Sequence, residues 1–575
     1  MHPHQDVDRT VAPHLSASEV IEQRITFADV LLRRAEDDHD GLLFEDSHWS
    51  WREVVDECRR RAALLLDLRR EGEPFHVGVL LENVPDYIFM IGAAALSGAT
   101  VVGINPTRRG AELASDIRGV DCSVIVTDAA GSALLEGLDT GVESSRVLRV
   151  DVTEWEDRLA TYPIESFVLP PAAEDPSTCL LLTFTSGSTG APKAVICSSG
   201  RLAVIACTNV LDLVPDDVSY NAMPLFHGNA IMACWAPSVF VGATFTMRRK
   251  FSVSGFLPDV LRFGVTFFNY VGRSLAYLLS APESPDEART RLRVVFGTEA
   301  APLDRAEFAR RFGVHPTESY GSSEGAVVIS VTPDTPPGAL GRPPETMPQV
   351  EVLGPDGAPC PRARFDEHGQ LLNPHEAIGE IVNLAGAMMF EGYYNNPAAT
   401  AERVDGPVFR TGDLGYRDEA GFFYFAGRSA DRLRVDSENF AAAPVERILA
   451  RFPAVALVAV YPVPDPRTGD QVMAAVQLRD GARFDAKEFG AFLEAQPDLG
   501  TKWAPRFVRI VGEMPVTATR KVDKPSLVAA SWLTDDPLFV SLDGSLHYVP
   551  ATAEHRGQLL AEYERYGRAP AIARG

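Results

Sequence analysis

Residues 75–104 read FHVGVLLENVPDYIFMIGAAALSGATVVGI: an apolar run, a helical stretch (DYIFMIGAAALSG) and a second apolar run. A short helical pattern near 110–117 and the strand-like CSVIVT at 122–127 continue the alternation. Strands alternating with helices imply βαβ units and a parallel sheet. Outward from there, VLPPAAEDPST at 168–178 ends the region, and CLLLTF at 179–184 runs directly into a Gly/Ser/Thr-rich turn. TPDTPPGALGRPPETMP at 332–348 separates a further helix-and-strand block from a β-richer section at 349–426. After Gly427 the pattern restarts with a helix around 443–452, strand-like ALVAVYPV and VMAAVQL, a helix near 485–496 and strand-like RFVRIV. The expected fold is α/β: a large N-terminal domain (1–428) of parallel-type βαβ sheets plus a β-rich subdomain, then a smaller α+β C-terminal domain (429–575).

The 575 residues exceed what one core needs, and 46% hydrophobic with 23% charged residues is a folded globular composition. A net charge of -24 repels nucleic acid phosphates and anionic lipid, so nucleic acid is excluded as the expected partner. Seven cysteines form no C-x-x-C pair, which fits reduced thiols and a cytoplasmic home. The N-terminus carries no basic region followed by an apolar stretch, so no secretory signal is expected. GNAIMACWAPSVFVGATFTM at 228–247 is uncharged over nearly a membrane-spanning length, but Pro237, Gly242 and the β-branched ATFT stretch predict a buried helix followed by a strand. Only six of the 54 basic residues are lysines, at 193, 250, 487, 502, 521 and 524, so the place of each lysine is informative.

The densest chemical signal is Thr185-Ser186-Gly187-Ser188-Thr189-Gly190-Ala191-Pro192-Lys193. Glycines admit backbone amides to an anion, hydroxyls add donors and the lysine adds a point charge, which together make a phosphate cradle. Pro192 before the lysine and Ala194 after it depart from a Walker A loop. Four further segments stand out: Gly297-Thr298-Glu299-Ala300-Ala301-Pro302, Tyr320-Gly321-Ser322-Ser323-Glu324, Arg410-Thr411-Gly412-Asp413-Leu414-Gly415 and PVTATRKVDKPSL around Lys521.

These segments, in this order, resemble the adenylate-forming superfamily of acyl-CoA synthetases, luciferases and peptide-synthetase adenylation domains. The similarity runs from SWREV at 50–54 through NPTRRGAEL at 105–113 to beyond Lys521. The resemblance implies ATP, Mg²⁺ and CoA as cofactors and co-substrates. It gives the 185–193 loop the phosphates, Thr298, Glu299 and Ala300 the adenine pocket, and Tyr320 the adenine face. Gly321, Ser322 and Ser323 then complete the nucleotide turn, Glu324 holds Mg²⁺, Asp413 takes the ribose hydroxyls and Arg428 touches the ribose. Lys521 bridges carboxylate and α-phosphate during adenylation, with Lys524 the competing candidate; Arg520 replaces the usual glycine. A mobile C-terminal domain is implied, turning about 427–430. Where relatives have GGEN along the pantetheine tunnel, this chain has Asp436-Ser437-Glu438-Asn439.

Met223-Pro224-Leu225-Phe226-His227-Gly228-Asn229, where relatives line the acyl pocket, contains no acid to pair a substrate ammonium. An apolar acid is expected. The 220–285 segment looks like the very-long-chain acyl-CoA synthetase and fatty acid transport protein branch, and His227 resembles its aromatic gate. The implied reaction joins a long-chain fatty acid or steroid side-chain acid to CoA. A carrier-protein acceptor and a non-catalytic lipid- or nucleotide-binding homologue are the rival readings. A homodimer and a peripheral membrane contact are left open by the sequence, and the 531–575 tail is expected to be a packing element.

Overall fold

The computed structural model describes residues 14–568 except 186–191, 299, 301, 337, 348, 366–370, 429–431, 437, 468, 480, 498, 516–521, 523 and 543. The decisive stretch folds as predicted: His76–Leu80 pairs in parallel with Thr100–Gly103 and Cys122–Thr127, and the helix Pro85–Ser97 crosses between the first two. Pro85 starts that helix where its missing N–H costs nothing, and Gly98 ends it at φ +70°. A Cβ at Gly98 would meet the Ala172 methyl at 2.5 Å. The helix is buried on nearly every side, so its sequence is apolar all round.

The resulting six-stranded sheet runs Val147–Arg149, Cys122–Thr127, His76–Leu80, Thr100–Gly103, Cys179–Thr185, Lys193–Ser198, with only the last pair antiparallel. An eight-stranded sheet has Val218–Asn221 between Phe267–Val271 and Thr244–Met247 in parallel, and continues through Val294–Thr298 to Thr317–Gly321. One apolar core joins both sheets, from Val77 and Val101 to Phe245 and Phe267. The β-rich section is an antiparallel sheet of Val350–Leu353, Gly379–Asn383, Val408–Arg417 and Phe423–Arg428.

The 228–247 segment becomes a π-helical turn, Ala230–Trp235, then the helix Ala236–Val241 and the strand Thr244–Met247, all built into the core. Among the described residues no helix is long and apolar enough to cross a membrane.

The smaller C-terminal part has its own two cores and a five-stranded sheet, Val455–Pro464 through Val549–Pro550. Residues 531–568 pack as expected: the helix Ala553–Arg565 buries Tyr563 against Trp532, and its hydroxyl donates to the Pro464 carbonyl. The 428/429 boundary adjoins residues 429–431, outside the described residues.

Candidate active site

Thr185 and Lys193 face each other across an antiparallel pair, so the Gly/Ser/Thr turn is the loop of a hairpin. Ser186, Gly187, Ser188, Thr189 and Gly190 lie outside the described residues. The strand Lys193–Ser198 follows the loop, and Lys193 is its first residue. The Lys193 side chain is buried, with Nζ 3.5 Å from the Glu402 carboxylate and 5.3 Å above the Tyr393 ring.

The Tyr393 hydroxyl donates to Glu324 Oε1 at 2.6 Å and accepts from Arg403 Nε at 3.3 Å. Burial alone would raise the Glu324 carboxyl, but hydrogen bonds from Tyr393 and Ser322 and the Arg403 charge hold it below its usual range. Glu324 is therefore a buried, ionised carboxylate. Arg201, itself buried, donates to the Ser323 carbonyl at 2.6 Å and to the Ile196 carbonyl at 2.8 Å, tying the turn to the hairpin strand. Gly325, at φ +68°, makes room for that guanidinium.

Tyr320 ends the strand Thr317–Gly321 and donates to Asp413 Oδ2 at 2.7 Å, joining two motifs 93 residues apart. Asp413 is buried on the strand Val408–Arg417, with Arg428 as its backbone partner in the next strand. Gly412, at φ +73°, leaves the space that Arg403 fills; a Cβ would stand 2.5 Å from Nη1. Thr298 ends its strand beside these, and the turn after it is fixed by Glu318, which accepts from the Ala300 N–H at 2.6 Å and the Tyr270 hydroxyl at 3.0 Å. Glu299 lies outside the described residues.

His227 lies at the start of the apolar segment, its ring 4.4 Å from Phe226. Burial, with Arg434 adding repulsion, pushes its pKa down to about 4, so the ring is neutral near pH 7. Asn229 accepts from Asn269 at 2.8 Å within the same wall.

From the C-terminal part, Glu438 accepts from the Thr107 hydroxyl at 3.2 Å, and Arg108 lies 5.2 Å from the Trp503 ring. Burial raises the Glu438 carboxyl to about 6 despite Thr107 and Lys502. Asn439 pairs with Arg434 in the two-stranded ladder; Ser437 lies outside the described residues. So does Lys521, while its competitor Lys524 stands 3.0 Å from Glu446 within the small domain. Among the described residues no three His, Cys, Asp or Glu side chains converge as a metal cage.

Sequence reasoning missed Tyr393, Arg403, Arg201 and Glu318. Tyr393 lies within, and Arg403 shortly after, a turn motif, EGYYNNP at 391–397, whose polar and aromatic density was the available signal. Arg201 and Glu318 left none, since the partners that matter, Ser323 and Ala300, lie outside any local pattern.

The AMP-binding enzyme family model matches residues 32–394, and that of the AMP-binding enzyme C-terminal domain matches 444–521. A steroid-22-oyl-CoA synthetase of Rhodococcus jostii is 52% identical over 95% of this chain and 98% of its own length. The medium/long-chain-fatty-acid–CoA ligase FadD17 of Mycobacterium tuberculosis is 45% identical over 89% of this chain and 98% of its own. The amide bond synthetase McbA of Marinactinospora thermotolerans superposes with a TM-score of 0.72 at 26% identity, covering 89% of this chain and 100% of that one. Matched by both family models and 52% identical to one such ligase over 95% of its length, this chain belongs to the AMP-binding enzyme family of adenylate-forming enzymes.

Proposed function

We propose that this chain is an AMP-forming acid–thiol ligase that converts an apolar carboxylic acid and ATP to an acyl-adenylate, then transfers the acyl group to CoA. The observation that carries this reading is the convergence of Lys193, Tyr393 and Glu324, and of Tyr320 with Asp413, from segments spread over 193–413. A buried ionised carboxylate, with no cage of three such ligands among the described residues, suits a hard cation that takes its other ligands from phosphate and water. Glu324 would hold Mg²⁺, which supplies charge neutralisation at the phosphates. Asp413, an acceptor only, suits the ribose diol, with Tyr320 orienting it.

In the first half-reaction a carboxylate oxygen attacks the α-phosphorus and the bond to pyrophosphate breaks. Lys193 on the phosphate loop and Lys521, by its sequence motif, stabilise the charge that develops on the phosphoryl oxygens. In the second, the CoA thiolate attacks the acyl carbonyl and AMP leaves. The neutral His227 and the acid-free 223–235 segment favour an apolar chain or a steroid side chain, in keeping with the substrates named for the two ligase relatives. Residues 429–575 are read as the domain that turns between the half-reactions, and the contact of Glu438 with Thr107 as the orientation presenting the CoA-side loop. The same reading places the reaction in the reducing cytoplasm, where seven unpaired cysteines persist.

Pyrophosphate release and thioester formation, measured in parallel over medium-chain, long-chain and steroid side-chain acids, test this. Both are expected in the wild type, with Lys521→Ala losing adenylation by about 100-fold or more, the scale of a deleted oxyanion donor. Pyrophosphate without thioester would favour a carrier-protein acceptor; neither product across the panel would overturn the enzyme reading.

A further inference from the structure

Of the six lysines, Lys502 has no place in the motifs above, yet it contacts the loop that docks on the large domain. Its Nζ lies 2.6 Å from Asp436 Oδ2. Asp436 begins the tight connection between the paired strands Arg432–Val435 and Glu438–Ala441, and its φ is +49°. A left-handed backbone is free for glycine and costs an aspartate some free energy, which a local contact can offset. The next residue, the buried Trp503, stacks on Phe440 at 5.7 Å and faces Arg108 of the large domain. Arg108 is in turn fixed on Asp116 by bonds of 2.8 and 3.1 Å. Lys502 and Trp503 thus contact the start of the connection and the second strand of the hairpin whose Glu438 meets Thr107.

We infer that Lys502 is a positioning residue for the thiol half-reaction: its ion pair holds Asp436 in the left-handed conformation and so sets Glu438 against Thr107. This rests on the ligase reading. An ion pair of this partial exposure contributes little to global stability, so its loss leaves the fold intact and acts on loop geometry. The inference concerns a side chain outside the motif, and it explains how an aspartate is held at φ +49°.

The test separates the half-reactions. In Lys502→Met, thioester formation from preformed acyl-adenylate and CoA should fall on the order of 10-fold, the scale of a modest misplacement. Pyrophosphate exchange in the absence of CoA and the melting temperature should stay at wild-type values, and Lys502→Arg should recover part of the loss. The decisive variant is the double Asp436→Gly/Lys502→Met: glycine needs no anchor, so the thiol half-reaction should return to near the wild-type rate. A wild-type rate in Lys502→Met, an equal loss in both half-reactions, or a double variant as slow as the single would each overturn the inference. A wild-type enzyme that releases pyrophosphate but makes no thioester with CoA would overturn the ligase reading itself, before any variant is compared.

Discussion

His227 shows at the level of one side chain how burial selects among the roles an imidazole can play. Its pKa of about 4 lies below the ordinary value, so the folded protein binds fewer protons than the unfolded chain between about pH 6.5 and 4. Its contribution to stability is therefore complete above pH 6.5 and is lost as pH falls toward 4. Replacing it with phenylalanine should leave the pH profile of acyl-CoA formation unchanged between pH 6.5 and 8, and should reduce the acid sensitivity of unfolding below that window. A wild-type inflection near pH 7 that disappears in His227→Phe would instead show the ring titrating during turnover. Asp413 makes a related point: its neighbour Gly412 was legible as a motif position, but the Arg403 guanidinium that demands a glycine there became visible only in three dimensions.

Among elements, the Tyr320–Glu324 turn is held by a side chain from a helix distant in sequence. Arg201 on the helix Ser199–Thr208 satisfies two carbonyls, of Ile196 and Ser323, inside the protein. Arg201→Met would leave both acceptors without that donor, and unfolding free energy should drop by about 2–3 kcal/mol in urea titration. Because the turn carries Glu324, the KM for ATP should rise several-fold with a smaller change in kcat. The strands and helices were legible here because apolar runs and helical spacing are local properties of the chain. The Arg201 tie was not, because nothing near position 201 marks an arginine whose acceptor lies 122 residues away.

For the whole molecule, the contact between the two parts is also a proton-binding contact. Docked, Glu438 has its carboxyl raised to about 6 by burial, above the ordinary glutamate value, among Thr107, Arg108, Arg109, Asp436 and Lys502. The docked form therefore binds more protons than an undocked one between about pH 6 and 4.5, so docking strengthens as pH falls through 6 and weakens as it rises. Energy transfer between labels on the large and small parts should report a more docked population at pH 5.5 than at pH 7.5. Glu438→Gln should flatten that dependence.

The sequence by itself determined the α/β alternation, the separate C-terminal unit, the order of the motifs and the apolar character of the 223–235 segment, because each is written in local spacing and residue type. Tertiary structure decided which side chains complete those motifs: Tyr393 between Lys193 and Glu324, Tyr320 on Asp413, Glu318 under Ala300, and Lys502 on Asp436. Such pairs join residues tens to hundreds of positions apart, and their geometry exists only once the sheets have packed and burial has fixed the charge state of each group.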